Sequence, residues 1–267
     1  MTDPATRFEA DLAALAFLAD AGLDVIIGDT PVNRLAPPPA PEPVRPVAAG
    51  PVAATPAMPA EAGSEREAAA AAAPLAARCT SLAELRQALE GFEGLSIRET
   101  ATQLVFADGN PEAKVMVVGE APGRDEDRLG KPFVGESGKL LDRMLGAIGL
   151  DRTSVYITNT ILWRPPGNRK PTPAEVDAML PFLRRHIDLV APKAMLLAGG
   201  SALSALFGFE ARITRERGRW REYQAAHGTV PVLPLFHPAY LLRQPSLKRE
   251  AWADMLAFRA KLDELGL

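Results

Sequence analysis

Cysteine is nearly absent from this chain, since Cys79 is the only one among 267 residues. A single thiol excludes any disulfide within the chain, and we expect a reducing cytosolic compartment. Long apolar runs are missing as well, and no stretch approaches the roughly 20 apolar residues that span a bilayer. The N-terminus lacks the basic segment of a signal peptide, because Asp3, Glu9 and Asp11 surround its apolar residues. We therefore expect no membrane partner.

Positive charge is scarce in the first half of the chain and concentrated in the second. Residues 1–150 carry 13 basic and 22 acidic side chains, whereas residues 151–267 carry 17 basic and 11 acidic ones. A positive half on an acidic protein is typical of a local anion-binding face. An ordinary solvated surface explains the same imbalance equally well, so charge alone does not decide between them.

The pattern along the chain predicts three parts. Residues 1–35 form an N-terminal helical arm, because Phe8, Leu12, Leu15 and Leu18 repeat at helical spacing over residues 6–21. The stretch from residue 36 to residue 75 is rich in Pro and Ala and has almost no large apolar residues, so we predict a disordered linker over 36–79. The arm would then bind an unidentified protein or dock back on the domain. Residues 80–267 form the globular domain.

Strands and helices alternate within this domain. Apolar runs predict strands over residues 103–106, 115–118, 155–158, 194–197 and 230–235, and helical spacing predicts helices over residues 81–92, 137–148, 173–189, 201–207 and 248–265. Alternation of this kind is typical of an α/β fold, here a three-layer α/β/α sandwich with a mostly parallel central sheet. Loops at the carboxyl ends of the strands should form the functional site.

Those loops contain the chain's most unusual residues. The sequence GEAPGRDED occupies residues 119–127, and KPFVG occupies 131–135. Thr158 and Asn159 end a later strand and precede RPPGNR at 164–169, and the last strand runs into HPAYLLR at 237–243. With these motifs in this order, residues 81–262 resemble the uracil-DNA glycosylase superfamily, most closely the family 4 type of bacteria and archaea. The resemblance implies an enzyme that flips uracil out of DNA and hydrolyses its N-glycosidic bond, leaving an abasic site.

The chain departs from that family at its iron–sulfur cluster. Family 4 enzymes hold a [4Fe–4S] cluster with four cysteines, which this sequence cannot supply. The matching positions carry the apolar side chains of Phe92, Leu95, Trp163 and Met179. We therefore expect no cofactor and no metal, with these four side chains filling the volume of the cluster.

The resemblance also implies roles for residues around the base. His237 would hydrogen-bond the uracil anion that develops as the glycosidic bond breaks. Asn159 would pair with the O4 and N3–H edge of uracil, since an amide offers one acceptor and one donor. Phe133 would stack on the flipped base, with Gly119 and Ala121 beside it.

The carboxylates of the 119–127 segment leave the catalytic acid unresolved. Ala121 stands where the best-known uracil glycosylases carry an aspartate, so Glu120 or Glu126 would position the water or stabilise the sugar cation. Asn168 is a secondary candidate for contacts with water or with the backbone. We expect Asp125 and Asp127 to be solvated.

DNA contacts are expected after the last strand and in two basic segments. Leu241, by its spacing from His237, or Leu242 would wedge into the base stack, and Arg243 and Arg169 would hold phosphates. Five arginines surround a predicted hairpin at Gly218 and would contact phosphate or face solvent: Arg212, Arg215, Arg217, Arg219 and Arg221.

Three interpretations remain open for the chain, which we expect to act on single- or double-stranded DNA as a monomer. The leading one is a monofunctional glycosylase, because no lysine stands in a recognisable Schiff-base position. The second is a glycosylase of broader specificity that also removes deaminated purines. The third is a damage-binding protein with little turnover.

Overall fold

The computed structural model of the protein describes residues 59–267, with side chains from residue 67. Its helices, in chain order, are α1 (Pro59–Arg78), α2 (Leu82–Glu90), α3 (Ser96–Thr100), α4 (Arg124–Leu129), α5 (Glu136–Gly146), α6 (Pro173–Val190), α7 (Gly200–Phe207), α8 (Ile213–Glu216), α9 (Pro238–Arg243) and α10 (Lys248–Glu264). Short 3-10 turns span Pro166–Asn168 and Pro245–Leu247. In this part of the chain no helix is long and apolar enough to cross a membrane. The arm predicted over residues 1–35 lies outside the described residues.

Six strands form one mixed sheet within the described residues, in the order β1-β3-β2-β4-β6-β5. They are β1 (Asp108–Gly109), β2 (Val115–Gly119), β3 (Val155–Asn159), β4 (Ala194–Ala198), β5 (Arg221–Ala225) and β6 (Gly228–Leu235). The four central strands β3, β2, β4 and β6 are parallel, and the edge strands β1 and β5 pair antiparallel. The carboxyl ends of the central strands therefore meet at one edge of the sheet, which is where open α/β sheets bind their ligands.

Alternate residues of the central strands face two different helical layers. On one face, Val117 and Ile157 pack with Leu141 of α5 and Phe258 of α10. On the other face, Met116 and its neighbours pack with residues of α6 and α7. Every residue of β2, β3 and β4 is buried, as expected for strands covered on both sides. The predicted three-layer α/β/α sandwich is confirmed.

One predicted strand does not form. Residues 103–106 are irregular and make a backbone bond from Val105 N–H to Leu162 O at 2.8 Å. Gln103 instead donates its side-chain amide to the carbonyls of Asp127 and Arg128 at the end of α4, at 3.1 and 2.9 Å. The segment therefore fastens α4 to the domain, and the short β1 takes the edge position beside β3.

The predicted hairpin at Gly218 is also wrong. Residues 226 and 227 form the turn between the antiparallel strands β5 and β6, and Gly218 lies before β5. Arg217 is bound by Asp254 of α10 and lies over the ring of Phe236. Arg221 is bound by Glu216, so these two arginines support the fold rather than a nucleic-acid surface.

Three arginines of that segment are exposed: Arg212, Arg215 and Arg219. Exposure leaves both predicted alternatives open for these three arginines, contact with phosphate and a solvated face.

The disordered linker predicted over residues 36–79 is wrong at its C-terminal end. Residues Pro59–Arg78 form helix α1, and Ala68, Ala72 and Ala76 recur along one buried face of it. Alanine has the highest helix propensity, and its small side chain allows close approach of α1 to α6. The domain thus includes α1, whereas residues 36–58 lie outside the described part.

The four positions that the resemblance matches to cluster cysteines lie together in an apolar cluster of the core. Phe92, Leu95, Trp163 and Met179 all belong to it, and none is more than 4% exposed. Cys79 lies in the same cluster and is the only thiol of the chain. Since a [4Fe–4S] centre needs several thiolates, these residues do not fit an iron–sulfur cluster, and packed side chains occupy the region.

Candidate active site

A cavity of about 370 Å³ opens at the carboxyl edge of the sheet. It brings together nine of the residues that the sequence predicts for the site: Glu120, Ala121, Glu126, Phe133, Asn159, Asn168, Arg169, His237 and Arg243. They come from four separate segments of the chain. The fold therefore assembles one concave site from motifs that are more than 100 residues apart.

The inner corner of the cavity depends on a glycine. Gly119 ends β2 and pairs with Asn159, the last residue of β3. A Cβ at Gly119 would lie 2.3 Å from Asn159 Oδ1 and 2.6 Å from Phe133 Cζ. Any side chain at this position would displace both groups, so Gly119 supports the site by leaving space.

Asn159 carries an uncommitted amide at this corner. The residue is 3% exposed, and no hydrogen bond within residues 67–267 engages its amide, which lines the cavity. A buried amide without partners costs free energy unless a ligand or water satisfies it. The structure thus presents one donor and one acceptor to whatever occupies the cavity.

Phe133 forms an aromatic wall of the cavity in a strained conformation. Its φ is +54°, a region that bulky residues rarely adopt. The ring is 4% exposed and stacks on His237, with ring centroids 5.5 Å apart and an interplanar angle of 24°. Gly138 permits this arrangement, because a Cβ there would lie 1.8 Å from Phe133 O.

His237 is the N-cap of α9 and has a defined tautomer. Its Nδ1 accepts a hydrogen bond from the Ala239 N–H at 3.1 Å. Burial lowers the pKa of His237 to about 4, and the nearby Arg243 charge acts in the same direction while Glu126 opposes it. At neutral pH the imidazole is therefore uncharged and carries its proton on Nε2, which is a hydrogen-bond donor.

Glu126 is committed to the backbone rather than to the cavity. One carboxylate oxygen accepts from Gly123 N–H at 3.1 Å, and the other accepts from Val134 and Gly135 N–H at 2.9 Å each. These bonds close the first turn of α4 and join it to the 131–135 segment. Glu126 thus has the features of a residue that holds the loop in place.

Glu120 has the opposite character. It is partly exposed and lines the cavity, and no hydrogen bond or ion pair within the described residues engages its carboxylate. Ala121 beside it leaves the wall apolar. Of the two glutamates that the sequence could not rank, Glu120 is the one whose carboxylate is available to a ligand or water.

The remaining acidic residues of α4 differ from each other. Asp125 is exposed as predicted. The prediction that Asp127 is solvated is wrong, since it is 4% exposed. Its carboxylate accepts from the backbone and hydroxyl of Thr102, both at 2.8 Å. Asp127 therefore fastens α4 to the preceding segment.

Asn168 and Arg169 lie in the loop before α6. Asn168 has a φ of +56° and accepts from Arg164 Nε at 2.7 Å. Arg169 forms a two-pronged ion pair with the fully buried Glu175, at 2.6 and 2.9 Å. Glu175 also completes the capping box of α6 with Thr172. Arg169 thus lines the cavity while its guanidinium pairs with Glu175, and its contact with a DNA phosphate stays a prediction.

Helix α9 separates the two leucines proposed as a wedge. Leu241 is 1% exposed and packs with Leu140, Phe236 and Ala251, so the prediction that Leu241 is the wedge is wrong. Leu242 is 38% exposed, and Arg243 beside it is exposed at the cavity rim. A helix turns by 100° per residue, and that rotation decides which leucine faces outward.

Several cavity residues were not predicted. Pro122, Gly123, Ser137, Pro165 and Ala239 also line it. Four of them lie within the motifs and Ser137 lies two residues after KPFVG, so sequence proximity was the available signal. Among residues with described side chains, no group of three or more His, Cys, Asp or Glu could hold a metal ion.

Comparison of the sequence with known proteins finds similarity to uracil-DNA glycosylases. The family model of the uracil DNA glycosylase superfamily matches residues 106–256. Over 178 residues the chain is 39% identical to a type-4 uracil-DNA glycosylase of Archaeoglobus fulgidus, which covers 65% of this chain and 89% of that protein. The type-4 enzyme of Sulfurisphaera tokodaii is 36% identical over 67% of this chain and 84% of its own length. That of Thermotoga maritima is 41% identical over 54% and 74%, respectively.

Proposed function

The chain belongs to the uracil-DNA glycosylase superfamily, and we propose that it flips uracil out of DNA and hydrolyses the bond between uracil N1 and the deoxyribose C1′. The products are free uracil and an abasic site. The reaction is monofunctional, because no lysine is among the residues that line the described cavity, and an imine to the sugar would need such an amine.

The observation that carries the proposal is the buried, unpartnered amide of Asn159 beside an aromatic wall. Its Oδ1 would accept from uracil N3–H, and its Nδ2 would donate to O4. Cytosine presents an acceptor at N3 and a donor at the 4-amino group, which would face this amide in the wrong sense. Phe133 would stack on the base at the same time, and stacking of this type is worth about 1–3 kcal/mol.

His237 would stabilise the departing base. Bond cleavage places negative charge on uracil O2, and the neutral imidazole would donate its Nε2–H to that oxygen. A preorganised donor in a water-poor site stabilises such a transition state by about 3–4 kcal/mol. The bond from Ala239 N–H to Nδ1 supplies the preorganisation, because it orients the ring and selects the tautomer.

Glu120 would act on the sugar side of the reaction. The sugar develops cationic character as the base leaves, and a carboxylate both stabilises that cation and accepts a proton from the attacking water. The available carboxylate of Glu120 suits both tasks, whereas the three backbone bonds of Glu126 occupy its oxygens.

DNA would lie across the cavity mouth, with Leu242 and Arg243 on the first helix after the last strand. Leu242 would fill the space that the flipped base leaves, and Arg243 would bind a phosphate. Extrusion of a base costs a few kcal/mol in a duplex and least at a mismatch. Single-stranded and U:G substrates should therefore be processed faster than U:A.

The test is an incubation with labelled single-stranded and U:G oligonucleotides, followed by alkali to break abasic sites. The wild type should generate alkali-labile strands and free uracil, without breaks before alkali. His237→Ala and Asn159→Ala should each reduce the rate by at least 100-fold. His227→Ala is the matched control, since His227 contacts Pro192 O and does not line the cavity.

Three outcomes would contradict the proposal in different ways. Tight retention of the oligonucleotide without uracil release would indicate a damage-binding protein. Release of deaminated purines at comparable rates would indicate broader specificity. Strand breaks before alkali would contradict the monofunctional mechanism.

A further inference from the structure

We infer that Arg152 is a positioning residue for the flipped base, because its guanidinium holds the backbone of Phe133 in the conformation that turns the ring into the cavity. The inference rests on the proposed function of the cavity. Arg152 does not line the cavity and lies outside the motifs that carry the family resemblance. Its effect on the base would pass entirely through Phe133.

The contacts of Arg152 converge on the peptide units that flank Phe133. Its Nη1 donates to Pro132 O at 3.1 Å, and its Nη2 donates to Phe133 O. The carbonyl carbons of Pro132 and Phe133 are the two end atoms of the torsion that defines φ of Phe133. Arg152 therefore binds the segment where its backbone departs from ordinary geometry.

Phe133 needs such support because its backbone is strained. A φ of +54° is unfavourable for a bulky residue, and a conformation of this kind persists only where surrounding groups enforce it. Glu126 binds the next two N–H groups, those of Val134 and Gly135. An arginine on the carbonyls and a glutamate on the amides thus hold the 131–135 segment from two sides.

Two carboxylates hold the guanidinium in turn. Arg152 Nη1 donates to Asp108 Oδ2 at 2.6 Å, and Nε donates to Asp142 Oδ1 at 2.9 Å. Burial alone would raise the pKa of Asp108, but the hydrogen bonds and charges of Arg152 and Lys131 lower it overall. Asp108 is therefore ionised at neutral pH, and the guanidinium is aimed at the backbone rather than free to rotate.

The ring that this arrangement orients is the one that faces His237 and the corner at Gly119. If the backbone relaxes to negative φ, the ring leaves the position that stacks on His237. The expected defect is therefore weaker binding of the extruded base, in both substrate and product. The bond-breaking groups themselves remain in place.

The experiment is a double-mutant cycle with Arg152→Gln and Phe133→Ala in the full-length protein. Binding is measured by fluorescence anisotropy with an oligonucleotide whose uracil nucleotide carries a 2′-fluoro group, which destabilises the sugar cation and so resists cleavage. Steady-state kinetics and inhibition by free uracil supply the KM, kcat and product affinity. Arg259→Gln is the matched control, because Arg259 is similarly exposed and also binds a carboxylate and a carbonyl, those of Asp263 and Leu267.

Phe133→Ala should weaken binding by about tenfold or more, and Arg152→Gln by about fivefold, through KM with kcat within about threefold. In the Phe133→Ala background, Arg152→Gln should change the affinity by less than twofold. Arg152→Lys should restore part of the loss, since an ammonium still reaches one carbonyl. Arg259→Gln should leave all values unchanged.

An Arg152→Gln effect of equal size with and without the Phe133 ring would overturn the inference, as would an unchanged affinity. If Arg152→Gln fails to fold, Asp108→Asn replaces it, because that change keeps the arginine and weakens one of its anchors. The failure of the inference remains distinct from failure of the proposed function. In the latter case the wild type itself would release no uracil.

Discussion

The two glutamates of the 119–127 segment should respond in opposite ways to the same substitution. Replacing a carboxylate with the isosteric amide changes one oxygen into an NH₂ group, which donates rather than accepts. The change therefore tests what each carboxylate accepts in the folded protein. It separates a carboxylate used in chemistry from one used in folding.

Glu126→Gln should cost stability. A glutamine can keep its one oxygen on Val134 and Gly135 N–H, but its NH₂ group then faces Gly123 N–H, which donates at 3.1 Å in the native protein. A buried donor left opposite another donor, with the loss of a charge-assisted bond, costs about 2–3 kcal/mol. For a domain of about this size that corresponds to a fall in melting temperature of about 4–12 °C.

Glu120→Gln should cost rate and not stability. Glu120 is partly exposed, and its carboxylate has no hydrogen-bonding partner among the described residues. The melting temperature of Glu120→Gln should therefore remain within about 1 °C of the wild-type value. Loss of a general base lowers rates by about 10²–10⁴-fold. Glu126→Gln, measured well below its own melting temperature, should retain kcat within about tenfold.

The assay pairs thermal denaturation with single-turnover release of uracil from a labelled single strand. Each variant thus yields a melting temperature and a chemical rate from the same preparation. The reasoning would be refuted if Glu120→Gln cleaved at the wild-type rate while Glu126→Gln lost activity at an unchanged melting temperature. That result would assign the water to Glu126 and require its carboxylate to leave the backbone.

Three further predictions concern the wedge, the first helix and the buried histidine. Leu242→Ala should slow cleavage of duplex U:G by about tenfold and of single strands by less than twofold. Leu241→Ala should instead lower the free energy of unfolding by about 2–5 kcal/mol. The reverse pattern would restore Leu241 as the wedge. Ala72→Glu should destabilise the domain by about 3 kcal/mol or more, because it buries a charge under α1. Ala73 is exposed, so Ala73→Glu should have the melting temperature of the wild type. Equal melting temperatures for the two variants would show that α1 is not packed. Burial lowers the pKa of His186 from 6.5 to about 3 and that of His237 to about 4. Below pH 6.5 the unfolded chain therefore binds two protons that the folded chain does not, and urea titrations should show stability falling by about 2 kcal/mol per pH unit down to about pH 4. His186→Phe should reduce that slope by about half, because the His237 contribution remains, and an unchanged slope would assign it to other groups.

Much of the fold and of the site could be predicted from the sequence because the signals were local or periodic. The buried strands β2, β3, β4 and β6 appeared as continuous apolar runs, and α6 carried its own start signal in Thr172, Pro173 and Glu175. Of the cavity residues, Asn159 is the last residue of β3 and His237 lies two residues after the end of β6. Position relative to a strand end is a property of the chain itself, so these predictions needed no knowledge of neighbouring elements.

The wrong predictions share a different origin. An alanine-rich segment is a poor source of buried area by itself, and α1 is ordered only because α6 and the apolar cluster lie against its small side chains. The residues of 103–106 have strand propensity, but the free end of α4 binds Gln103. In both cases a partner distant in sequence decided the local structure, which propensity cannot anticipate.

The sequence by itself determined the chemistry available to this protein: one cysteine and therefore no cluster, apolar side chains at the cluster positions, and an amide, a histidine and two glutamates beside strand ends. Only the tertiary structure decided how those groups are used. Glu126 accepts from three backbone donors while Glu120 remains available, and Leu241 is buried while Leu242 is exposed. The physical reason is that identical side chains differ in function by their hydrogen-bond partners and burial. Those are set by contacts between segments that the sequence does not place side by side.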